Sequence, residues 1–437
     1  MKTSHAIRNL GAASLTLAAL LLPHASNAQH LYAFTDLGAA YGPNSAAVAI
    51  SSNGLVSGVT GFNYNVDAHG FTTFGGPMHD IGTLGGKLSI GYGINAFGQV
   101  VGFSSLSNGE THAIAYRNGL VDIGGLPGGH YSSAQCVNDN AIAGGQSGTK
   151  SGAYHAVLWN LIKGAVTDLD PKGTSSGVTG LNASNEAAGY WMDAKGYEHA
   201  VKWSGGVMTD LGNLGFPFAQ ANAINNAGQI VGLAQIQFNG GFVGTTGFLW
   251  DSATGMKAIP SLFGGNDTAL YAINNSGDAV GYGRNFALET RAALYHNNTL
   301  FDLNDYVDPN LGWTLNFANA INDKGEIVGQ ATSGAVEHAY KLTPVGITAL
   351  TLVPSTVKAG SIAVGTITLN APTPKSILVA ISSNNPAVKV PSLILVPKGA
   401  QKHTIFLQTK IVAAPTAGAI TVAYDNTKAT QQLLVKP

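Results

Sequence analysis

The amino-acid sequence predicts an all-β protein, and three observations support this prediction. Glycine is abundant, with 57 residues in 437, while only 10% of the residues are charged, a composition that suits turn-rich β structure. Short apolar runs alternate with polar residues every two positions, which is the periodicity of a strand. One stretch also recurs seven times, at intervals of 43 to 49 residues, and this indicates a repeated structural unit.

The recurring stretch is an apolar run, then Asn-x-x-Gly, then a second short apolar run. Its copies read AINNAGQIVG (223–232), GINAFGQVVG (93–102), AINNSGDAVG (272–281), AINDKGEIVG (320–329), AISSNGLVSG (49–58), CVNDNAIAGG (136–145) and GLNASNEAAG (180–189). Five copies have glycine as the fourth turn residue, one has Asn185, and the copy with Ala141 departs from the pattern. Glycine and asparagine tolerate a positive φ, so the stretch predicts a β-hairpin with a left-handed residue in its loop.

Two further segments follow each hairpin. One resembles HAVLW (155–159) and the other resembles TDLGNLG (209–215), so each unit supplies four strands. Seven units of four strands predict a seven-bladed β-propeller. An additional TDLG segment (35–38) precedes the first hairpin, and the seventh unit ends after its third strand. We therefore expect the N-terminal strand to complete the last blade, which would leave no free sheet edge.

Histidine and aspartate recur at matching positions of the third and fourth strands. The predicted pairs are His69–Asp80, His112–Asp122, His155–Asp168, His199–Asp210 and, through closure, His338–Asp36. Where Thr246 replaces histidine, Ala258 replaces aspartate, and where Arg291 replaces histidine, Asp302 remains. This joint variation predicts contact across neighbouring strands. So many copies spread around a ring cannot all be active sites, so we predict structural hydrogen bonds and no catalytic residues.

These motifs resemble those of the bacterial HAF-repeat family of extracellular repeat proteins. The resemblance covers about residues 31–344 and rests on AINNAGQIVG, HAVLW and the Asp-Leu-Gly segments together. It implies an exported β-propeller. It supplies no catalytic residues and no assured ligand.

Both ends of the chain differ from the repeats. Residues 1–28 hold basic residues, a short apolar run and a small-residue cleavage site, which predicts a signal peptide cut near Ala28 and a secreted or periplasmic protein. That run is too short to span a membrane. The propeller is expected over 29–344. Residues 345–437 change to Val/Ile/Thr alternation with Pro and Gly punctuation and about seven short strands, which predicts an Ig-like β-sandwich acting as a spacer or stability module.

Composition excludes several classes of partner. The 22 basic and 23 acidic residues provide no basic field for nucleic-acid binding. Cys136 is the only cysteine, so no intramolecular disulfide can form, and its repeat position suits a small buried filler. DLNDYVDPN (302–310) offers oxygen ligands without the EF-hand spacing. We expect no cofactor, no metal site, no membrane span and a monomer.

Two insertions on one predicted face are the candidate ligand site. The loops at 235–245 and 304–317 are longer than their counterparts, and binding loops are often lengthened in this way. They carry the predicted binding residues Phe238, Phe242, Asp305, Tyr306, Asp308 and Trp313. Aromatic rings and carboxylates suit an extracellular glycan or a cell-surface protein, although the aromatic residues could instead pin down the longer loops.

The sequence therefore predicts a secreted binding protein and not an enzyme. The alternative is an extracellular carbohydrate-active enzyme, either a polysaccharide lyase or a glycoside hydrolase, on the same face. Glycoside hydrolases need two carboxyl groups across a cleft, and the sparse charged residues nominate no such pair.

Overall fold

The computed structural model describes residues 31–437 except 62–66, 171, 174, 238–242, 263–264 and 266. Strands dominate the described residues, which contain no α-helix, so the predicted all-β class is confirmed. No helix in this part of the chain has the length and apolar character needed to cross a membrane. The signal peptide, Phe238 and Phe242 lie outside the described residues.

The repeat region forms seven four-stranded antiparallel sheets, a propeller-like arrangement. Strand β1 (Tyr32–Gly38) belongs to the last of them. Sheet 1 contains β2 (Ser45–Ile50), β3 (Val56–Thr60), β4 (His69–Thr72) and β5 (His79–Asp80). Sheet 2 contains β6 (Gly85–Ile94), β7 (Val100–Leu106), β8 (Thr111–Tyr116) and β9 (Leu120–Asp122). Sheet 3 contains β10 (Ser132–Val137), β11 (Ile142–Gly148), β12 (Tyr154–Asn160) and β13 (Ala165–Asp168).

The next four sheets repeat this order. Sheet 4 contains β14 (Ser176–Leu181), β15 (Ala187–Met192), β16 (Glu198–Ser204) and β17 (Val207–Asp210). Sheet 5 contains β18 (Ala219–Ile224), β19 (Ile230–Gln237), β20 (Val243–Asp251) and β21 (Gly255–Ala258). Sheet 6 contains β22 (Thr268–Ile273), β23 (Ala279–Arg284), β24 (Thr290–His296) and β25 (Thr299–Asp302). Sheet 7 contains β26 (Thr314–Ile321), β27 (Ile327–Ser333), β28 (Val336–Pro344) and β1.

The first strand of the chain pairs with the last strand of the repeat region. β1 runs antiparallel to β28, with Phe34 opposite Leu342 and Asp36 opposite Tyr340. This is the pairing of the two ends that the one-strand offset of the sequence predicts. Sheet 7 thus gains its fourth strand from a segment about 300 residues earlier in the chain.

Every first strand of a sheet carries a bulge at the same position, three residues before the turn Asn or Ser. A bulge moves one residue out of the ladder and reverses the face on which the following side chains lie. The apolar core lies between neighbouring sheets. One cluster, for example, combines Ala188 and Ala200 of sheet 4 with Ala221, Ile230 and Phe248 of sheet 5.

The C-terminal unit contains nine strands in two sheets, two more strands than expected. They are β29 (Ile347–Leu352), β30 (Thr356–Lys358), β31 (Ile362–Leu369), β32 (Ile377–Ser383), β33 (Val388–Lys389), β34 (Leu393–Val396), β35 (Lys402–Thr409), β36 (Thr416–Tyr424) and β37 (Thr427–Lys436). The sheet orders are β29-β31-β35-β33 and β30-β37-β36-β32-β34. The difference arises because β30 and β33 are only three and two residues long. Alternate residues of both sheets share one apolar core.

Candidate functional site

The predicted His–Asp pairs are hydrogen-bonded in all five sheets where both residues occur. The distance from histidine Nδ1 to the aspartate carboxylate is 2.6 Å for His69–Asp80, 2.7 Å for His112–Asp122, and 2.9 Å for His155–Asp168, His199–Asp210 and His338–Asp36. Each carboxylate also accepts from the backbone N–H two residues further on, as Asp122 does from Gly124. The aspartate therefore shapes the turn after its own strand while it joins the third and fourth strands, which is a structural role.

The inferred contact of Arg291 with Asp302 is wrong. Arg291 Nη2 instead lies 2.7 Å from Glu289, two residues earlier, and the Asp302 carboxylate accepts from the backbone and side chain of Asn304. The Arg291 guanidinium therefore pairs with Glu289 and not with Asp302. Asp302 is then free to cap the 3₁₀ turn Leu303–Tyr306.

The turn asparagine explains why the recurring stretch is needed in each sheet. In sheet 2, Asn95 Oδ1 accepts from the backbone N–H groups of Phe97 and Gln99, and Nδ2 donates to Gln99 Oε1 and to the carbonyl of Asn138 in the next sheet. All four hydrogen-bonding positions of the amide are thus used, as buried polar groups require. Asn182, Asn225, Asn274 and Asn322 make the same four contacts.

The turns of sheets 3 and 1 make different hydrogen bonds to the next sheet. Asn138 has Ile142 four residues on, and its second donor goes to Asn185 Oδ1 of the next sheet. Sheet 1 has Ser51 in place of the asparagine, and there Asn53 Nδ2 donates to the carbonyl of Ala96. The sequence contains the signal for these contacts, because Gln, Glu or Asp follows the asparagine by four residues in five copies.

The seven turns meet around one depression of about 290 Å³. The same three positions of every turn line it, for example Ile94, Asn95 and Ala96. Since the asparagine amides are occupied by protein contacts, this end of the repeat region is tied together by its own hydrogen bonds and offers few polar groups to a ligand.

The opposite ends of the strands carry a different set of side chains, which we call the tyrosine site. It comprises Tyr131, Gln146, Tyr154, Tyr190 and Glu198 of sheets 3 and 4. Gln146 links two of the tyrosines, because Tyr190 Oη donates to its Oε1 at 2.5 Å and its Nε2 donates to Tyr131 Oη at 3.3 Å. The rings of Tyr131 and Tyr154 meet edge to face, with centroids 5.3 Å apart.

Glu198 provides the carboxyl group of this site, and its pKa departs clearly from the ordinary value. Burial raises its pKa to about 7, from an ordinary value of 4.5. Its carboxyl group has no hydrogen-bond partner among the described residues, whereas burial and the nearby Glu198 charge raise the pKa of Tyr190 to about 12. A half-buried carboxyl without a protein partner can accept or donate a hydrogen bond to a ligand.

The tyrosine site was not predicted from the sequence. Its residues occupy repeat positions at which the copies differ from one another. The position of Tyr190, for instance, is filled by Val59, Phe103, Leu233 or Tyr282 in other sheets, as the strand registers show. That irregularity within an otherwise regular repeat was the available signal.

The residues predicted from the longer loop of sheet 7 are packed against the protein. Trp313 stacks on Phe34 with ring centroids 6.1 Å apart and lies 5.1 Å from the His338 ring, while Tyr306 meets Phe301 edge to face. The carbonyl of Asp305 accepts from Lys375, and the Asp308 carboxylate lies 2.6 Å from Lys398 Nζ. The ring contacts of Trp313 and Tyr306 thus hold the loop in place, and Asp305 and Asp308 join it to the C-terminal unit. The structure does not bring them together as an open binding surface.

Comparisons with known proteins show neither a family nor a function for this chain. No family model and no curated protein matches the chain. A mutant of puromycin hydrolase complexed with PGG is similar over 76% of this chain, with 14% identity and a TM-score of 0.42, and this chain spans 59% of its length. A mutant of AofleA from Arthrobotrys oligospora is similar over 72% of this chain and 87% of its own, with 8% identity and a TM-score of 0.30. The N-terminal four Ig domains of Dscam1 match with a TM-score of 0.17.

Proposed function

We propose that the seven sheets are the blades of a closed seven-bladed β-propeller over 29–344, followed by an Ig-like β-sandwich over 345–437. The sheet-to-sheet hydrogen bonds of the turn asparagines support this proposal, since they run in chain order and return from Asn322 to the carbonyl of Ser51. A second contact returns from the bulge residue Asn319 to the carbonyl of Ala47 at 2.8 Å. The HAF-repeat resemblance stays a prediction, as does export by residues 1–28.

We further propose that the protein is a secreted, non-enzymatic binding protein and that the tyrosine site binds an extracellular glycan. One observation carries this proposal: Gln146 holds Tyr131 and Tyr190, and Tyr154 packs edge to face on Tyr131, beside a carboxyl group that has no hydrogen-bond partner among the described residues. Tyrosine rings stack on the C–H faces of sugar rings, and amide and carboxyl groups bind sugar hydroxyls. The site lies at the end of the strands where the predicted long loops also emerge.

Pre-organisation supports binding at this site. Gln146 fixes the hydroxyl groups of Tyr131 and Tyr190, so their rings lose little conformational freedom when a ligand arrives. The ring of Tyr190 also packs over the backbone of Gly177, where an added Cβ would lie 2.7 Å from the ring. A side chain at position 177 would push this ring away.

Glu198 keeps the enzymatic alternative open. A carboxyl group with a pKa of about 7 is half protonated near neutral pH, as a general acid for glycosidic bond cleavage must be. A second carboxyl group would have to act with it. Glu337, which holds the equivalent position in sheet 7, accepts a hydrogen bond from Gln330.

A glycan array with the full chain, followed by titration calorimetry on the best ligand, tests the proposal. We expect Tyr190→Ala and Tyr131→Ala each to weaken binding at least about tenfold, as central aromatic contacts do. Phe97→Ala is the matched control, because Phe97 is 54% exposed and belongs to a hairpin turn at the opposite end. It should bind as the wild type does.

The remaining outcomes distinguish the alternatives. Trp313→Ala should melt at a lower temperature and bind normally. An unchanged melting temperature with weakened binding would instead place the binding site at the loop 304–317. Release of reducing sugar by the wild type but not by Glu198→Gln would establish an enzyme. Absence of both glycan binding and sugar release would refute the proposed function.

A further inference from the structure

The charge of this protein is divided unevenly between its two parts. Residues 31–345 hold 22 acidic and 12 basic residues, a net charge of −10. Residues 346–437 hold eight lysines, Asp425 and no arginine or glutamate, a net charge of +7. The near-neutral total of the chain therefore conceals a strongly basic C-terminal unit. Such asymmetry between the parts of a chain indicates an anionic partner for the basic part.

Two of the eight lysines face the repeat region. Lys375 donates to the carbonyl of Asp305, and Lys398 Nζ lies 2.6 Å from the Asp308 carboxylate. Asn370 Nδ2 donates to the carbonyl of Pro344 beside them, and Val345 N donates to the carbonyl of Leu31. This end of the C-terminal unit is the junction, and its lysines are explained by the contacts they make.

Four other lysines gather at the far end, which we call the lysine tip. It comprises Lys358, Lys389, Lys410 and Lys436, together with Ile362 and Ile411. Backbone hydrogen bonds bring these segments together: Ala359 N donates to the carbonyl of Lys436 at 2.7 Å, and Lys410 N donates to the carbonyl of Ala387 at 2.7 Å. Thr409 N donates to the carbonyl of Ser361 at 3.2 Å, which brings β35 to the same end.

The arrangement of lysines at the tip is not favoured by folding. Lys358 and Lys436 are direct partners in the parallel pairing of β30 with β37, and like charges opposite one another destabilise a sheet. Lys410 Nζ donates to the carbonyl of Pro386 at 3.1 Å, whereas the ammonium groups of Lys358, Lys389 and Lys436 have no acceptor among the described residues. An anion from outside the chain would relieve this repulsion.

The tip also exposes large apolar side chains between these charges. Ile411 is 89% exposed and Ile362 is 60% exposed. The Ile411 side chain lies over Gly360, since its Cγ1 is 3.8 Å from the position a Cβ would take there. Exposed isoleucine beside lysine matches the interface of a membrane, where apolar groups enter the acyl boundary and ammonium groups meet phosphates.

We infer that the lysine tip docks the protein on an anionic lipid surface. Ile411 and Ile362 enter the boundary between headgroups and acyl chains, and the surrounding lysines contact lipid phosphates. A hydrated polyanionic glycan would satisfy the lysines, but it would provide nothing for the two isoleucines. The observations therefore favour a lipid surface over a soluble polyanion.

The geometry keeps the docked tip away from the tyrosine site. β37 is ten residues long and runs from Thr427, which binds Ile347 at the junction, to Lys436 at the tip. At about 3.3 Å per residue, it separates the two ends by roughly 30 Å. Membrane docking and glycan binding would thus be independent, and failure of one would leave the other untouched.

Vesicle co-sedimentation of the full chain tests the inference. The probes are vesicles of phosphatidylcholine alone and of equal parts phosphatidylcholine and phosphatidylglycerol, at low and physiological salt. We expect binding to the anionic vesicles only, weakened by salt because the charges are exposed. Lys358→Gln with Lys436→Gln should weaken it about 25-fold, since each lysine near an anionic surface contributes about fivefold. Ile411→Ser should weaken it about tenfold.

A matched control has the same loss of charge at the other end of the unit. Lys402→Gln with Lys428→Gln should weaken binding less than about twofold, because both residues lie more than a Debye length of about 10 Å from the tip. An equal loss in both pairs, equal binding to neutral vesicles, or no binding at all would overturn the inference. So would normal binding by Ile411→Ser together with competition by dextran sulfate, which would identify a polyanion as the partner.

Discussion

Asn322 Nδ2 donates a hydrogen bond to the carbonyl of Ser51, 3.1 Å away and 271 residues earlier in the chain. The other turn asparagines make the same bond to the next sheet in sequence, so this one joins the last sheet to the first. Asn322 also accepts from the N–H groups of Lys324 and Glu326. One side chain therefore builds its own turn and connects two sheets that the sequence places at opposite ends.

Replacing this asparagine should destabilise the repeat region strongly. Asn322→Ala leaves the backbone N–H groups of Lys324 and Glu326 without partners and removes one of the two hydrogen bonds that the carbonyl of Ser51 accepts, so the free energy of unfolding should fall by about 2–3 kcal/mol. Thermal or urea unfolding measures the change. Asn118→Ala is the control, since Asn118 is exposed in a turn of sheet 2, and it should change the stability by less than about 0.5 kcal/mol. Equal effects would contradict the closing role of Asn322.

The His–Asp pairs should matter for stability and not for ligand binding. His155 is only 7% exposed, and its loss leaves the Asp168 carboxylate without its partner, so His155→Ala should lower the free energy of unfolding by about 1–3 kcal/mol. His130→Ala removes a pair of similar length with Glu110, but its side chain is 82% exposed, so the change should be below about 1 kcal/mol. If His155→Ala instead abolished glycan binding at unchanged stability, the histidine would belong to a functional site.

Two glycines of the turns should respond differently to alanine. Both have positive φ, +80° at Gly228 and +75° at Gly98, so both variants suffer backbone strain of about 1 kcal/mol. A Cβ at position 228 meets only the flexible end of Lys202 at 3.5 Å, whereas at position 98 it would lie 2.2 Å from the Phe74 ring. Gly98→Ala should therefore lose about 1–3 kcal/mol more than Gly228→Ala in chemical denaturation. A similar loss in both would show that Phe74 moves aside freely.

Glu198 should make the protein less stable as the pH rises. Its folded pKa of about 7 exceeds the ordinary 4.5, so the folded state binds more protons between pH 4.5 and 7, and stability falls across this window. Glu198→Gln removes the buried charge, so it should raise the stability above pH 7 by about 1 kcal/mol, after allowance for partial solvent exposure, and change little below pH 4. Melting temperatures of both proteins from pH 4 to 8 give the comparison. Parallel curves would mean that Glu198 titrates normally.

Much of the fold was predictable because the chain repeats itself. The period, the four strands of each unit and the pairing of β1 with β28 all follow from comparing copies within one sequence. The pairs such as His112–Asp122 were predictable for the same reason, because joint replacement at Thr246 and Ala258 indicates contact. Because each repeat forms the same structural unit, comparing the repeats shows which positions the fold requires.

The proposed tyrosine site needed the tertiary structure, since it lies where the repeats disagree. From the sequence, Tyr306 and Trp313 could either bind a ligand or pin down their loop, and in the structure Trp313 packs on Phe34 of the N-terminal strand. The bulge in each first strand reverses the side-chain alternation, so no count along the sequence could show which residues face a ligand.

The sequence by itself thus determined the all-β class and the repeated sheet, because hydrogen-bonded turns and two-residue alternation are local properties. It also contained the charge imbalance of the C-terminal unit. Only the tertiary structure decided that Tyr131, Gln146, Tyr190 and Glu198 meet, and that Lys358 lies beside Lys436. These groupings depend on strand register and on contacts between sheets, which join residues far apart in the chain.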